Sequence, residues 1–274
     1  VQLRRLAPSD LLDGAFALLK AAPATMLALA AVFVIPVQLA TAWLQRDVLA
    51  GTNLVDLMAL DQAAVEATQP DDFGATAAGL LGLMGMSIAL PFVCAATTAL
   101  VLARQRGHAP SLGELLGVVV RKAPVLLTAW LLVRVAQLAG LLLCGVGALA
   151  AMALFLVTAP AVVAEDLGPL AAMRRAARLA RRRFWPTLGV GLLTGVVAYL
   201  FDQALSSAPV LLALVVGTDG PGWLLLGAGG VMASIVTTPV VAAATTLYYL
   251  DLRVRTEGLD LELEAAAVLD PARP

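Results

Sequence analysis

The densest chemical feature of the chain is a run of six arginines, Arg174, Arg175, Arg178, Arg181, Arg182 and Arg183. A cluster of guanidinium groups suits phosphate, which leaves two partners to weigh: acidic lipid headgroups or nucleic acid. Near an anionic leaflet each basic side chain contributes about 1 kcal/mol. Nucleic acid would draw on the same charge, but no aromatic stacking platform accompanies the run and apolar, membrane-length sequence lies beside it. The expectation is therefore contact with anionic headgroups and none with nucleic acid.

A second candidate is Arg134, the single charge between Ala123 and Ala164. A charge at mid-bilayer costs several kcal/mol unless it is paired or hydrated, so such a residue is a functional candidate. Arg134 lies about 15 Å of helical rise into its apolar run, roughly the bilayer midplane. Gln137, one turn away, and Asp202 are the candidate partners of an intramembrane polar site. One reading makes Arg134 a snorkelling or internally paired residue that fixes the bundle. The other makes it the binding group of a small-solute or lipid permease, with Pro36, Pro91 and Pro239 breaking helices around a cavity.

Catalysis has little to stand on. His108 is the only histidine and sits in a basic loop, where a solvated side chain is expected. Nucleophilic catalysis needs a Ser or Cys with a base in reach, and no second histidine exists. Cys94 and Cys144 are too few for a disulfide framework and wrongly spaced for a metal knuckle, so packing is expected of them. Neither a phosphate-binding loop ending in Lys-Ser/Thr nor a strand-borne dinucleotide fingerprint occurs. The glycines, among them Gly191 and Gly195 and the series Gly79, Gly82 and Gly85, suit close helix approach in lipid. No enzyme activity, cofactor or metal is expected.

These residues must be carried by membrane helices. Of 274 residues 61% are hydrophobic and only 14% charged, with a mean hydropathy of +0.91, well outside the usual soluble mix. The formal net charge of -1 says little, because the charges are segregated along the chain. A helix needs roughly 20 apolar residues to cross the hydrocarbon, which places spans at about 24–44, 76–103, 124–143, 147–164, 186–201 and 223–248. The first run, 21–44, exceeds the hydrophobic region of a secretory signal and has no clear cleavage site after it, so it is expected to be retained. Between the third and fourth spans, the Cys144-Gly145-Val146-Gly147 stretch is the natural tight turn.

Orientation follows from the basic residues, which collect on the cytoplasmic side of short loops. Arg4, Arg5, Lys20, Arg104, Arg106, Arg121, Lys122, the six clustered arginines, Arg253, Arg255 and Arg273 all fall on one side. Opposite them, the loop between spans one and two carries Asp47, Asp56, Asp61, Glu66, Asp71 and Asp72. Both termini are thus expected in the cytoplasm. Trp43, Trp185, Trp223, Tyr248 and Tyr249 fall at span ends, where amphipathic rings favour the headgroup level, while Trp130 and Tyr199 read as packing residues.

Each pair of spans has a similar lead-in: APSDLLDGAFALLKAAP from Ala7, APSLGELLGVVVRKAP from Ala109 and GPLAAMRRAARLARRRFWP from Gly168. The chain reads as an all-α polytopic bundle, three repeats of an interfacial helix followed by a transmembrane hairpin. The interfacial helices are expected at about 9–20, 111–122 and 169–184, within one membrane domain, 1–258, followed by a cytoplasmic tail, 259–274. In the first, Asp10, Asp13, Ala17 and Lys20 share one face and Leu11, Leu12, Ala15, Phe16, Leu18 and Leu19 the other. In the second, Ser111 and Glu114 spell a capping box. In the third, Leu170, Met173, Ala177, Ala180 and Phe184 form an apolar stripe expected to sink into the acyl boundary.

The segments LLDGAFALLK, APAVVAEDLGPLAAMRRAARLARRRFWPTLGV and YYLDLRVRTEGLDLELEAA resemble the bacterial, often actinobacterial, glycerophosphoryl diester phosphodiesterase membrane domain and the related YciC-like membrane proteins. That resemblance covers most of the chain and implies a multispan protein of the bacterial inner membrane. The paired histidines and metal-binding carboxylates of the soluble phosphodiesterase are absent here, so it implies the membrane part alone. The function expected is that of a scaffold organising lipids or partner membrane proteins, with the permease as the alternative.

Overall fold

A computed structural model describes residues 8–44, 84–85, 87–142, 145–216 and 222–258, and every regular element among them is an α-helix. These are α1 (Pro8–Ala21), α2 (Pro23–Leu44), α3 (Ala89–Gln105), α4 (Leu112–Leu141), α5 (Val146–Phe155), α6 (Thr158–Ala164), α7 (Pro169–Arg181), α8 (Phe184–Val216) and α9 (Gly222–Glu257). Arg4, Arg5, the acidic loop residues Asp47 to Asp72, Cys144, Arg273, residues 76–83 and the tail 259–274 lie outside the described residues.

Among the described residues, five segments are long and apolar enough to cross a membrane: Pro23–Trp43, Leu112–Leu141, Val146–Ala164, Phe184–Ala213 and Gly227–Glu257. Their mean hydropathies of 1.6 to 2.3 exceed what one soluble core accommodates. The chain is thus an all-helical, multi-pass membrane protein. At 17 residues, α3 is shorter than a full span.

The contacts divide the chain into two compact units, one drawn from Val1–Met26, Pro91–Val196 and Val240–Pro274, the other from Leu27–Leu90 and Val197–Pro239. In the first unit the core is the later half of α9 together with α3. Residues 242–252 are all buried, as are Val93, Cys94, Ala95, Ala96, Thr97 and Thr98. Hydroxyl groups tie this core together: Thr98 and Thr246 lie 3.1 Å apart, Thr187 and the Tyr248 hydroxyl 2.8 Å apart. Leu11, Ala15 and Leu18 of α1 are buried by protein, and a Cβ on Gly14 would stand 2.9 Å from Leu247. The apolar face of α1 therefore packs on the bundle, with Leu12, Phe16 and Leu19 left half-buried at its edges.

Still in the first unit, α4 opens on Ser111, whose hydroxyl accepts the Glu114 amide at 3.3 Å. The Glu114 carboxylate turns to exposed His108 at 3.1 Å. Two expected elements, a helix at 111–122 and a span from 124, are one helix here, which runs through Pro124 without a break. After it comes the tight turn at Gly145, whose φ of 78° is a left-handed conformation that glycine adopts without steric cost. Across this hairpin Gly140 and Gly147 stand backbone to backbone. A Cβ on Gly147 would meet the Gly140 carbonyl oxygen at 2.6 Å, so glycine here permits the two helices to touch.

In the second unit Ala30, Val34 and Ala89 form a small core with Phe33, Val37 and Ile235. Gln38 of α2 donates to the Ser234 hydroxyl of α9 at 2.7 Å. Gly227 and Gly229 admit Ala42 and Pro209 at contact distance.

Charged and proline-bearing stretches read as span ends turn out to be helix interior. α8 continues beyond 201, through Asp202 and Pro209 to Val216, and α9 continues beyond 248, through Asp251, Arg253 and Arg255. Trp43 and Trp185 are exposed as expected of headgroup-level rings. Tyr248 and Tyr249 are instead buried in protein, and Tyr199 is 62% exposed where packing was expected. Trp223 lies at the start of α9. Among the described residues, Gly191 of the Gly191 and Gly195 pair meets a neighbouring helix, at Met152 and Leu156, and Gly195 does not.

Candidate functional site

α7 has three faces, and the sequence explains each. Gly168 is extended and Pro169 occupies the first turn, where a missing N–H costs nothing. At 100° per residue Ala172, Ala176, Leu179 and Ala180 form the face buried against the bundle. That face is made of small residues, because α7 packs on α4, α5 and α6. The expected stripe of Leu170, Met173, Ala177, Ala180 and Phe184 lies beside it. Ala180 alone is buried, Met173, Ala177 and Phe184 are half-buried, and Leu170 is exposed.

Opposite the buried face, at positions i, i+4 and i+7, stand Arg174, Arg178 and Arg181, all exposed and without a polar side-chain partner among the described residues. The other three arginines differ. Arg182 donates to the Thr256 carbonyl of α9 at 3.2 Å, and Arg183 is half-buried in the turn into α8. Arg175 is withdrawn, with its side chain 17% exposed.

Arg175 is the centre of an ion cluster that the arginine run alone does not announce. Its Nε donates to both carboxylate oxygens of Glu165, at 2.9 and 2.8 Å. Its Nη1 and Nη2 grip Glu257, the latter at 2.7 Å. The Tyr249 hydroxyl donates to Glu165 at 2.7 Å, and Arg253 lies 3.3 Å from Glu257 and 3.8 Å from Glu165. The Arg253 guanidinium also rests 5.9 Å over the Tyr249 ring. Hydrogen bonds donated to Glu257 foremost, and then to Glu165, hold the Arg175 guanidinium protonated beyond its already high ordinary value, against the opposing effect of burial.

The fork geometry is what arginine supplies and lysine does not. It joins the end of α6, the middle of α7 and the end of α9. Nearby, Asp251 is buried and paired with Arg255, and Lys122 pairs with Asp166.

Beside the clamp is an open depression of about 450 Å³, lined by Glu165, Leu167, Ala171, Arg174, Arg175 and Arg178. The side chains around it carry three cations and one anion.

The intramembrane candidates fall in separate units. Arg134, in α4, donates from Nη1 to Gln137 at 2.7 Å, while its buried Nε has no partner among the described residues. Asp202, in α8, accepts from the Thr237 hydroxyl at 3.4 Å. Among the described residues no group of three or more His, Cys, Asp and Glu side chains is placed to hold a metal ion.

Glu165, Glu257, Tyr249 and Arg253 escaped the reading of the arginine run. A signal existed: Glu165 precedes the run, and Arg253 with Glu257, like Asp251 with Arg255, has the four-residue spacing of a helical ion pair. Comparison of the chain with protein-family models, curated proteins and solved structures found no match.

Proposed function

We propose that this chain is a non-catalytic integral membrane protein of the bacterial inner membrane that gathers acidic phospholipids, and partner membrane proteins with them, on the arginine face of α7. The observation that carries this reading is the division of labour among the arginines. Arg175 and Arg182 bind the protein itself, while Arg174, Arg178 and Arg181 stand together and exposed on one face. Such a face beside half-buried Met173 and exposed Leu170 matches a helix lying in the headgroup plane.

The topology that goes with it is six spans in three repeats of interfacial helix and hairpin, with both termini and α7 in the cytoplasm. Support comes from the one-sided distribution of basic residues. The separate helices α1 and α7, each followed by a long apolar helix, support the repeat, and the unbroken α4 is its variant. The resemblance to the glycerophosphoryl diester phosphodiesterase membrane domain and YciC-like proteins points the same way. The test is to purify the chain in mild detergent and measure the lipids that accompany it. The Arg174→Gln, Arg178→Gln, Arg181→Gln triple variant is expected to lose acidic lipid relative to zwitterionic lipid. An unchanged ratio rejects the proposal.

A second reading, a small-solute or lipid permease, has one observation in its favour: the buried Nε of Arg134, which has no partner among the described residues, beside Gln137. An Arg134→Leu variant that folds but abolishes uptake of a solute would establish it.

A further inference from the structure

We infer that the depression at the foot of α7 is a discrete site for one terminal phosphate group, that of a phosphomonoester lipid headgroup or a soluble phosphomonoester, held by Arg174 and Arg178. The inference rests on the reading of α7 as a lipid-facing helix and narrows it from a charged surface to a stoichiometric site.

Three observations carry it. First, Arg174 and Arg178 are neighbours one helical turn apart, both line the depression, and neither has a polar partner among the described residues. Two guanidinium forks on one concave wall form the arrangement that chelates a phosphate through paired N–H donors. Secondly, the third cation of the depression is already oriented. Arg175 is fixed by Glu165 and Glu257, so it gives the site a rigid wall that does not have to be ordered on binding.

Thirdly, the charges select the ligand. Arg175 and Arg253 together balance Glu165 and Glu257, so the two positive charges left around the depression are those of Arg174 and Arg178. A phosphomonoester carries roughly 1.5 to 2 negative charges at neutral pH, and it matches this balance. A phosphodiester, with a single charge, leaves the site half-neutralised. One such phosphate neutralises Arg174 and Arg178 and leaves no charge for a second, which sets the stoichiometry at one. Arg181 is on the same face of α7 but does not line the depression, so it separates the discrete site from the general surface.

On the lipid side, exposed Leu170 and half-buried Met173 flank the arginine face and offer acyl chains a path from the headgroup.

The experiment is native mass spectrometry of the detergent-solubilised full chain titrated with phosphatidic acid or phosphatidylglycerol, on the unmodified chain and on Arg174→Gln, Arg178→Gln and Arg181→Gln. A thermal melt of each variant verifies folding. The site predicts one saturable phosphatidic acid adduct, bound roughly tenfold more tightly than phosphatidylglycerol. It predicts roughly tenfold weakening by Arg174→Gln or Arg178→Gln, the worth of one charge-assisted hydrogen-bonding partner, and little change by Arg181→Gln.

Competition by glycerol 3-phosphate and inorganic phosphate separates the sources. Displacement at matching concentrations assigns a soluble phosphomonoester, and its failure assigns the lipid; either supports the terminal-phosphate site. Equal binding of the two lipids overturns the inference. Equal weakening by all three substitutions also overturns it while leaving the charged-face reading intact. No weakening by any of them defeats both.

Discussion

Replacing Arg175 with alanine removes a side chain that joins α6, α7 and α9 through two carboxylates. Glu165 loses the Nε–H that both its oxygens accept, and Glu257 loses two donors. Removing one partner of a buried pair costs about 3–5 kcal/mol, whereas an exposed pair contributes about 0–1 kcal/mol. The side chains of Arg175, Glu165 and Glu257 are 17%, 20% and 28% exposed, so the site lies between those limits.

Part of the loss is recovered, because Arg253 still faces both acids and Tyr249 still donates to Glu165. The expected net cost is about 2 kcal/mol, or about 4–8 °C in melting temperature by the scaling for domains of comparable size. Arg175→Lys keeps the charge without the fork and should fall between the two. The assay is reaction of a thiol-sensitive dye with buried Cys94 during heating in detergent, in a Cys144→Ser background. Arg174→Ala is the control. That side chain is exposed and unpartnered among the described residues, so its effect should stay within about 0.5 kcal/mol. If Arg175→Ala melted no earlier than Arg174→Ala, the clamp would not hold these helices together.

Tyr249→Phe deletes the hydroxyl that Glu165 accepts at 2.7 Å, within a fully buried ring environment, and should cost about 1–2 kcal/mol in the same melt; an unchanged melt would mean that the hydrogen bond contributes nothing net. Gly147→Ala places a methyl 2.6 Å from the Gly140 carbonyl oxygen and should cost about 2 kcal/mol or more through forced separation of α4 and α5. By contrast, Gly117→Ala meets no atom within 4 Å and should stabilise α4 by about 0.5–1 kcal/mol, so similar melts for the two would refute the close approach at the hairpin. Arg134→Leu removes a buried guanidinium nitrogen that lacks a partner among the described residues, so the melt should be unchanged or raised. A fall of several degrees would show that this arginine makes a stabilising contact.

How far the sequence was legible depends on whether a feature is local. The turn at Gly145 was readable because the apolar run from Ala123 to Ala164 is too long for one span and glycine near its middle permits the dihedrals of a tight turn, as the left-handed φ of Gly145 shows. The Ser111 cap was readable for the same reason, since its partner is three residues away. The all-helical, multi-pass class followed from hydropathy alone.

Helix ends were less legible. Asp202 and Asp251 lay just past expected span ends and Pro124 at an expected span start, yet each lies within a helix. A charge ends a span only if water is its best partner, and here Thr237 and Arg255 are available instead. The clamp was the hardest part. Arg175 was one of six similar residues, and what sets it apart is contact with Glu257, 82 positions away. Tyr248 and Tyr249 misled for the same reason, since their ring chemistry suits a headgroup belt and only the fold reveals that protein surrounds them.

The account depends most on the arginine face of α7 being turned toward the acidic lipid and the interior of the cell. A single cysteine introduced as Arg181→Cys, in a chain with Cys94→Ala and Cys144→Ser, reports this directly through a membrane-impermeant maleimide. The account predicts a carbonate-resistant membrane protein that stays unlabelled in intact cells and becomes labelled once they are opened. Labelling in intact cells, or recovery of the chain from the soluble fraction, would contradict it.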